Sequence, residues 1–282
     1  MSSFAERLAI LDNPRADRVR RVSGLFGRSA RSRSGLMLVE RPQAVRELVR
    51  FRPGAVRDVY VREDAWGTHA DVVDAARSAT RWVHPVTAEV SAALSRDSQG
   101  VCAVASADAV SRELPEPSVG ETLVVLAQGR DPGNVGTIIR TADAFGAVGV
   151  ITVSGTVEAT SPKVVRASAG SVFHIPVCVV SSFEEAHTLI HRRSAALLGT
   201  SGGAGSLDLS QMLVQGVSGR SRLSQSHAWV FGNEAKGLSG AEMRLCDALV
   251  SIPMTGDAES LNVASAATAC LFSSQTVRGM TL

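Results

Sequence analysis

Leu123-Val124-Val125-Leu126-Ala127-Gln128-Gly129-Arg130-Asp131-Pro132-Gly133-Asn134-Val135-Gly136-Thr137-Ile138-Ile139-Arg140 decides the fold. The first five residues are an unbroken apolar run, which reads as a strand buried on both faces. A glycine-bearing turn from Gly129 to Gly136 follows. Val135, Ile138, Ile139, Ala142 and Phe145 then recur at helical spacing, and Gly146 stops the helix. Val148 to Val153 is the next strand. Strand, helix and strand in this order form a βαβ unit, which predicts an α/β fold with a parallel sheet.

Downstream, further strands are expected at Ile175–Val180, Ala195–Thr200, Ala228–Phe231 and Ala248–Ile252. Ser182-Phe183-Glu184-Glu185 is a capping box that opens a helix running toward Arg193. The stretch from Gly202 to Ser226, rich in Gly, Ser and Gln, reads mostly as loop. The last helix is expected from Ser260 to Val277, apolar enough for either an interface or internal packing. Upstream, Asp108 to Gly120 carries Pro115 and Pro117 and reads as a linker. Before it lies a smaller α/β domain, with strands at Leu36–Val39, Val56–Arg62 and Thr80–Val86 and helices at Arg41–Phe51 and His69–Ala79. The predicted organisation is therefore an N-terminal domain over residues 1–107, a linker over 108–120 and a second domain over 121–282.

Bulk properties narrow the function. A chain of 282 residues can form two modest domains or one large one. No apolar run spans a bilayer and no secretory signal is present, so a cytoplasmic protein is expected. Cys102, Cys178, Cys246 and Cys270 are far apart and lack metal spacing, so no metal site is expected. The net charge is only +2, yet residues 1–60 hold 13 Arg and no Lys against 6 acidic residues, which leaves about −5 for the remainder. That asymmetry points to an anionic partner, nucleic acid above all, with a solvated arginine face as the alternative. Arg15, Arg18, Arg21, Arg28, Arg31 and Arg33 carry it. Arg18, Arg21 and Arg28 would share a face in a single helix, whereas Arg28 to Gly35 reads as a mobile loop. The N-terminal part has few aromatics, so base stacking is not expected to drive binding.

Three turns follow predicted strands: Gly129 to Gly136, Gly232-Asn233-Glu234-Ala235-Lys236-Gly237, and Ile252-Pro253-Met254-Thr255-Gly256 leading into Glu259 to Ala264. Ligands bind at the carboxyl ends of strands in open α/β sheets, so the three would converge on one pocket. By itself Asn134 reads as a helix N-cap. Arg140, six residues on among apolar neighbours, would be expensive to bury without an anion, either a carboxylate or a ligand phosphate. Known nucleotide motifs do not fit. There is no P-loop and no GxGxxG, and Glu158 as a Rossmann ribose acid would leave the two later turns without a role.

These turns resemble the motifs of the SpoU/TrmH RNA methyltransferases. Asn134 to Arg140 is similar to the first motif and Phe231 to Leu238 to the second; Ser251 to Met254 with Ser260 to Ala267 is similar to the third. The resemblance covers residues 120–280 and extends more loosely to Asn13-Pro14-Arg15 and Leu38 to Arg41. It implies a SPOUT domain, a parallel sheet whose C-terminal segment is threaded into a trefoil knot, preceded by an L30e-like RNA-binding domain. Knots are exceptions among folds, and no periodicity argument reaches them. The implied reaction is methyl transfer from S-adenosylmethionine to a ribose 2′-hydroxyl of RNA by a homodimer, without metal or membrane. The arginine-rich N-terminal domain favours 23S ribosomal RNA over tRNA.

By motif match, Gly232, Asn233, Ile252, Leu261 and Ala266 contact the cofactor, and Thr200 and Ser201 line the same pocket. Arg140 is the implied catalytic residue, with Asn134, Glu234, Ser260 and Asn262 around it. The family account makes that arginine a base. An arginine is effectively always protonated, so a cation that grips the RNA phosphate and lowers the hydroxyl's pKa fits the chemistry more readily. Ser260 is also expected to cap the last helix, and Arg166 to contact RNA phosphate. The competing readings are a nicotinamide-dependent oxidoreductase and a non-catalytic RNA-binding protein.

Overall fold

The computed structural model describes residues 9–203, 205–233 and 235–281. The chain divides into two compact units. The first holds residues up to Val110 together with Thr160–Phe173, and the second holds Ser111–Ala159 and His174–Leu282. The segment Thr160–Phe173, within the expected span of residues 121–282, groups with the first unit.

In chain order the first unit contains α1 (Asp17–Ser23), α2 (Arg28–Ser34), β1 (Leu36–Glu40), α3 (Pro42–Phe51), β2 (Val56–Arg62), α4 (Ala65–Thr68), α5 (Ala70–Ala79), β3 (Val83–Val86), α6 (Ala88–Leu94) and β4 (Val101–Ser106). Its sheet runs β1-β4-β2-β3. β4 is antiparallel to β1 and β2, and β2 is parallel to β3. The sequence reading had no strand at Val101–Ser106, although this strand sits between β1 and β2. Val101 to Ala105 are buried by that central position.

The basic N-terminal segment is helical on both sides of a break. Arg28 to Ser34 is a helix rather than a mobile loop, closed by Gly35 in the left-handed conformation at φ 65°. A 3-10 turn at Gly24–Phe26 separates it from α1, so Arg28 does not share a face with Arg18 and Arg21. Arg31 is buried and donates to the carbonyls of Leu25 (3.0 Å) and Phe26 (2.8 Å), which ties α2 to that turn.

The second unit begins with β5 (Thr122–Leu126), α7 (Pro132–Ala144) and β6 (Gly149–Val153). After α8 (Pro162–Ala167), which lies in the first unit, come β7 (Val177–Val180), α9 (Phe183–Arg192), β8 (Ala196–Thr200), β9 (Leu207–Asp208), α10 (Leu209–Val217), β10 (His227–Phe231), α11 (Gly240–Leu245), β11 (Ala248–Ser251) and α12 (Val263–Thr281). The sheet runs β7-β6-β5-β10-β8-β11-β9, and every pairing is parallel. Fully buried Leu123, Val125, Ile151, Leu197, Val230 and Ala228 form its core, as a sheet covered on both faces requires.

Residues 205–226, expected mostly as loop, hold β9, α10 and a 3-10 turn at Arg222–Ser224. Asp208 caps α10 by accepting from the backbone of Ser210 (2.7 Å) and Gln211 (3.2 Å), and Leu209 and Met212 are buried. Polar Ser and Gln diluted the periodicity there. The segment read as a linker is also anchored. Arg193, 8 % exposed, donates to both carboxylate oxygens of Glu121 (2.7 and 2.8 Å) and to the Pro115 carbonyl (2.8 Å).

Candidate active site

Because the strands are all parallel and β5, β10, β8 and β11 are consecutive neighbours, their carboxyl ends share one edge. The loops that leave them meet there, as open α/β sheets favour. Behind β10, the backbone groups of Asn233 and Gly237 exchange hydrogen bonds (3.0 and 2.8 Å). The Asn233 side-chain oxygen accepts from Ala235 N (3.0 Å) and Lys236 N (3.2 Å). The turn closes tightly enough that a Cβ on Gly232 would lie 2.3 Å from the carbonyl carbon of Gly237. Glycine is therefore required at position 232 by close backbone approach.

Behind β8, the Thr200 hydroxyl donates to the Val230 carbonyl (2.9 Å) and Ser201 N donates to Val250 O (3.0 Å). Behind β11, residues 252–261 adopt neither strand nor helix before α12 begins. These three loops enclose a cavity of about 460 Å3. Thr200, Ser201, Gly232, Asn233, Ile252, Leu261 and Ala266 all line it, as does Ser260. Lys236 and Glu259 also border it, along with the apolar Leu238, Val250 and Met254. The sequence reading did not single out these five. They are neighbours of the motif residues, and only the loop geometry identifies them as lining.

The first turn is tied to the loop before α12 through one hydrogen bond, although neither Asn134 nor Asn262 lines the cavity. Asp131 caps α7, its side chain accepting from Asn134 N (2.8 Å). Asn134 is thus inside the helix rather than at its cap, which leaves its amide available. Asn134 Oδ1 accepts from Asn262 Nδ2 at 3.0 Å. Asn262 Oδ1 in turn accepts from Ala264 N (2.8 Å) and Ser265 N (3.4 Å). Asn262, and not Ser260, therefore caps the last helix. One asparagine pair links the start of α7 to the start of α12.

Arg140 does not line the cavity. Val135, Ile138, Ile139 and Ala142 form the buried face of α7, while Arg140 is exposed. The expected cost of burying its charge does not arise. Among the described residues no hydrogen bond or ion pair engages its guanidinium. Glu234 lies outside the described residues.

In the first unit, the arginines expected to meet RNA divide by environment. Arg15, Arg21, Arg28 and Arg33 are exposed, and Arg18 is half-buried and 3.8 Å from Asp58. Arg31 is buried on carbonyl oxygens and presents no surface to a ligand, which corrects its assignment as an RNA contact. Arg166 is matched by the buried carboxylate of Glu40 (2.7 Å) and by Asp97, so its charge is already neutralised within the unit. Ser95 donates to the other oxygen of Glu40 at 2.6 Å. These partners lie more than sixty residues away in sequence, and no local pattern reveals them.

All four cysteines are free, and burial pushes the thiols of Cys102 and Cys246 up to about 12, which leaves them unreactive. Among the described residues no group of three or more His, Cys, Asp or Glu could hold a metal ion, and no helix is long and apolar enough to cross a membrane.

Comparison with known proteins places this geometry. Residues 121–272 match the model of the SpoU rRNA Methylase family. The chain is 32% identical over 238 residues to the 23S rRNA (guanosine-2′-O-)-methyltransferase RlmB of Bordetella pertussis, covering 82% of this chain and 93% of that protein. It is 42% identical over 146 residues to the 23S rRNA (uridine(2479)-2′-O)-methyltransferase of Streptomyces viridochromogenes, covering 50% of this chain and 47% of that one. Among solved structures it resembles the SpoU methyltransferase AviRb from the same organism, in complex with AdoMet. The TM-score is 0.77 at 30% identity, over 94% of this chain and 98% of the other.

Proposed function

The chain belongs to the SpoU rRNA Methylase family, and on that footing we propose that it methylates a ribose 2′-hydroxyl of 23S ribosomal RNA with S-adenosylmethionine as donor. The observation that carries this reading is the cavity at the strand ends. The five positions expected from the motifs to meet the cofactor line it, as do Thr200 and Ser201 at the end of β8.

The cavity suits such a cofactor. Its volume of about 460 Å3 falls within the range of small-ligand sites. Leu238, Leu261 and Val250 give a planar base an apolar setting. The irregular backbone of residues 252–261 offers donors and acceptors not consumed by strand or helix. Gly232 keeps the second turn closed without a side chain in the way. When bound, S-adenosylmethionine supplies a methyl group made electrophilic by its sulfonium sulfur.

The chain's own residues supply positioning, which dominates a transfer that needs in-line geometry more than acid–base strength. The loops after β8, β10 and β11 hold the donor. The Asn134–Asn262 bond fixes the first motif beside the third. Arg140, exposed and without a protein partner among the described residues, grips an RNA phosphate and lowers the hydroxyl's pKa. Ser260, relieved of capping, faces the cavity beside the transfer. Glu234 completes the set by motif match.

The same reading includes a trefoil knot, supported by β10 lying between β5 and β8 while the later β11 sits beyond β8. It also includes an L30e-like first unit that binds RNA through its exposed arginines, and a cytoplasmic homodimer. Phe272, 53 % exposed on α12 and in edge contact with Phe145, supports that dimer's apolar face.

The test is incubation of the protein with labelled S-adenosylmethionine and either 23S rRNA or tRNA, followed by mapping of ribose methylation. Methyl incorporation into 23S rRNA is expected. Arg140→Ala lowers transfer by about 100-fold or more, as loss of a transition-state cation does, while cofactor affinity holds. Undiminished transfer by that variant refutes the role given to Arg140.

A further inference from the structure

The first unit contains a concavity of about 610 Å3 that gives its RNA-binding arginines a specific site. Arg18, Arg20, Arg21 and Arg33 line it above an apolar floor that includes Leu25 and Val104. Two of the four cations are already matched. Arg20 donates to Asp17 at 2.5 Å, and Arg18 lies 3.8 Å from Asp58. Arg21 and Arg33 are exposed, and among the described residues neither reaches a carboxylate. Among the described residues Arg33 donates to the hydroxyl of Ser29, at 2.7 Å. Asp58, the acidic residue of the lining, also accepts from His84 Nε2 at 2.9 Å, so its charge is engaged.

Tyr60 lines the same concavity. It is 1% exposed, and its buried hydroxyl has no hydrogen-bond partner among the described residues. Such an orphan is rare, because a buried hydroxyl without an acceptor costs free energy. Two unmatched guanidiniums, an apolar floor and a waiting donor are together complementary to a nucleoside phosphate.

We propose that this pocket seats one unpaired nucleotide of the RNA substrate, with its phosphate between Arg21 and Arg33 and an acceptor oxygen on the Tyr60 hydroxyl. The identity of the strand rests on the methyl-transfer reading; the pocket's chemistry asks only for a nucleoside phosphate. A duplex keeps its bases stacked inside and cannot send one onto the floor, whereas an unpaired nucleotide can. The site is an anchor separate from the transfer cavity, since the two have no lining residue in common.

Fluorescence anisotropy on the full chain tests this with a short unstructured RNA, the same sequence as a duplex, and a nucleoside monophosphate as competitor. Single-stranded RNA is expected to bind more tightly than duplex and to be displaced by the monophosphate. Arg21→Gln weakens binding roughly fivefold and lowers the salt slope by about one. Tyr60→Phe weakens it about threefold to tenfold, as loss of one hydrogen bond does, and leaves the salt slope alone. Tyr60→Phe melts no lower than the parent, because the lost hydroxyl has no partner in the protein. The exposed Arg112→Gln in the second unit binds as the parent does. Parental affinity in both Arg21→Gln and Tyr60→Phe, or equal binding of duplex and single strand, overturns the pocket. If the parent methylates RNA while those variants bind normally, the pocket alone fails. If the parent methylates no RNA, the methyl-transfer reading fails, and the monophosphate competition still decides the pocket.

Discussion

His227 makes the second unit acid-sensitive by an amount that follows from its surroundings. Its ring is fully buried on β10. Nδ1 lies 2.8 Å from the Gln225 carbonyl, which can only accept, so Nδ1 carries the proton. Nε2 then accepts from the Ser274 hydroxyl at 2.8 Å, and that hydroxyl accepts from Trp229 Nε1, also at 2.8 Å. The network ties β10, whose end carries Gly232, to α12, whose start carries Asn262. On protonation Ser274 can turn its hydroxyl toward the Cys270 carbonyl, 3.2 Å away, so the hydrogen bonds can adapt. The cost that remains is burial of the charge. Burial, with a smaller contribution from Arg278, lowers the pKa from 6.5 to about 4, against the opposing pull of the Gln225 carbonyl.

The unfolded chain therefore takes up this proton first as pH falls. The contribution is fully present above pH 6.5 and is lost progressively down to about pH 4. The whole difference is worth about 3 kcal/mol, of which about 2 kcal/mol is lost between pH 7 and pH 5. That is a large share of a typical domain stability of about 5–15 kcal/mol. Urea denaturation at a series of pH values, run in parallel on the parent and on His227→Gln, isolates the term. Glutamine offers an amide to Ser274 and does not titrate. The variant's stability should fall less steeply from pH 7 to pH 5, by about 2 kcal/mol. Parallel curves would refute the reasoning, since every other titrating group is common to both proteins.

Three further outcomes follow from the geometry. Gly232→Ala places a Cβ 2.3 Å from Gly237 C and 2.5 Å from Leu238 N, both backbone atoms. The turn must shift by about 1 Å, so calorimetry should show S-adenosylmethionine affinity reduced by an order of magnitude or more, with about 1–3 kcal/mol of stability lost. In a double-mutant cycle, Asn134→Ala and Asn262→Ala should show a coupling of about 0.5–1.5 kcal/mol in denaturation; Asn262→Ala alone should cost about 1 kcal/mol more than Asn134→Ala because it also removes the cap of α12. Additive effects would deny the bond. Arg193→Ala leaves Glu121, 2 % exposed, without its bidentate partner, and should lower stability by about 3–5 kcal/mol in urea titration.

The legible parts of this fold are those in which burial repeats along the chain. Leu123 to Ala127 and the helical spacing from Val135 to Ala142 carry their own evidence, because a strand covered on both faces and a one-faced helix differ in apolar period. The residues expected to meet the cofactor came from the resemblance of the three turns to family motifs, and one of those positions has a physical reason of its own. Gly232 is needed where two backbones touch, and that need leaves a motif in the sequence. What was missed has no periodic trace. α10 is diluted by Ser and Gln, α2 is short and arginine-rich, and β4 takes its place only by pairing with strands on both sides.

By itself, the sequence determined the α/β class and the parallel sheet, since both depend on local patterns of burial and turn chemistry, while the expected cofactor residues came from the resemblance of three turns to family motifs. Tertiary structure decided the fate of individual polar groups. Arg166 goes to Glu40 and Asp97, Arg31 to two carbonyls, and Asn134 to Asn262, while Arg140 stays exposed to solvent. A charge or an amide is satisfied by whatever partner lies within about 3 Å, whichever part of the chain supplies it. Which arginines remain available to a phosphate is therefore a property of the folded surface.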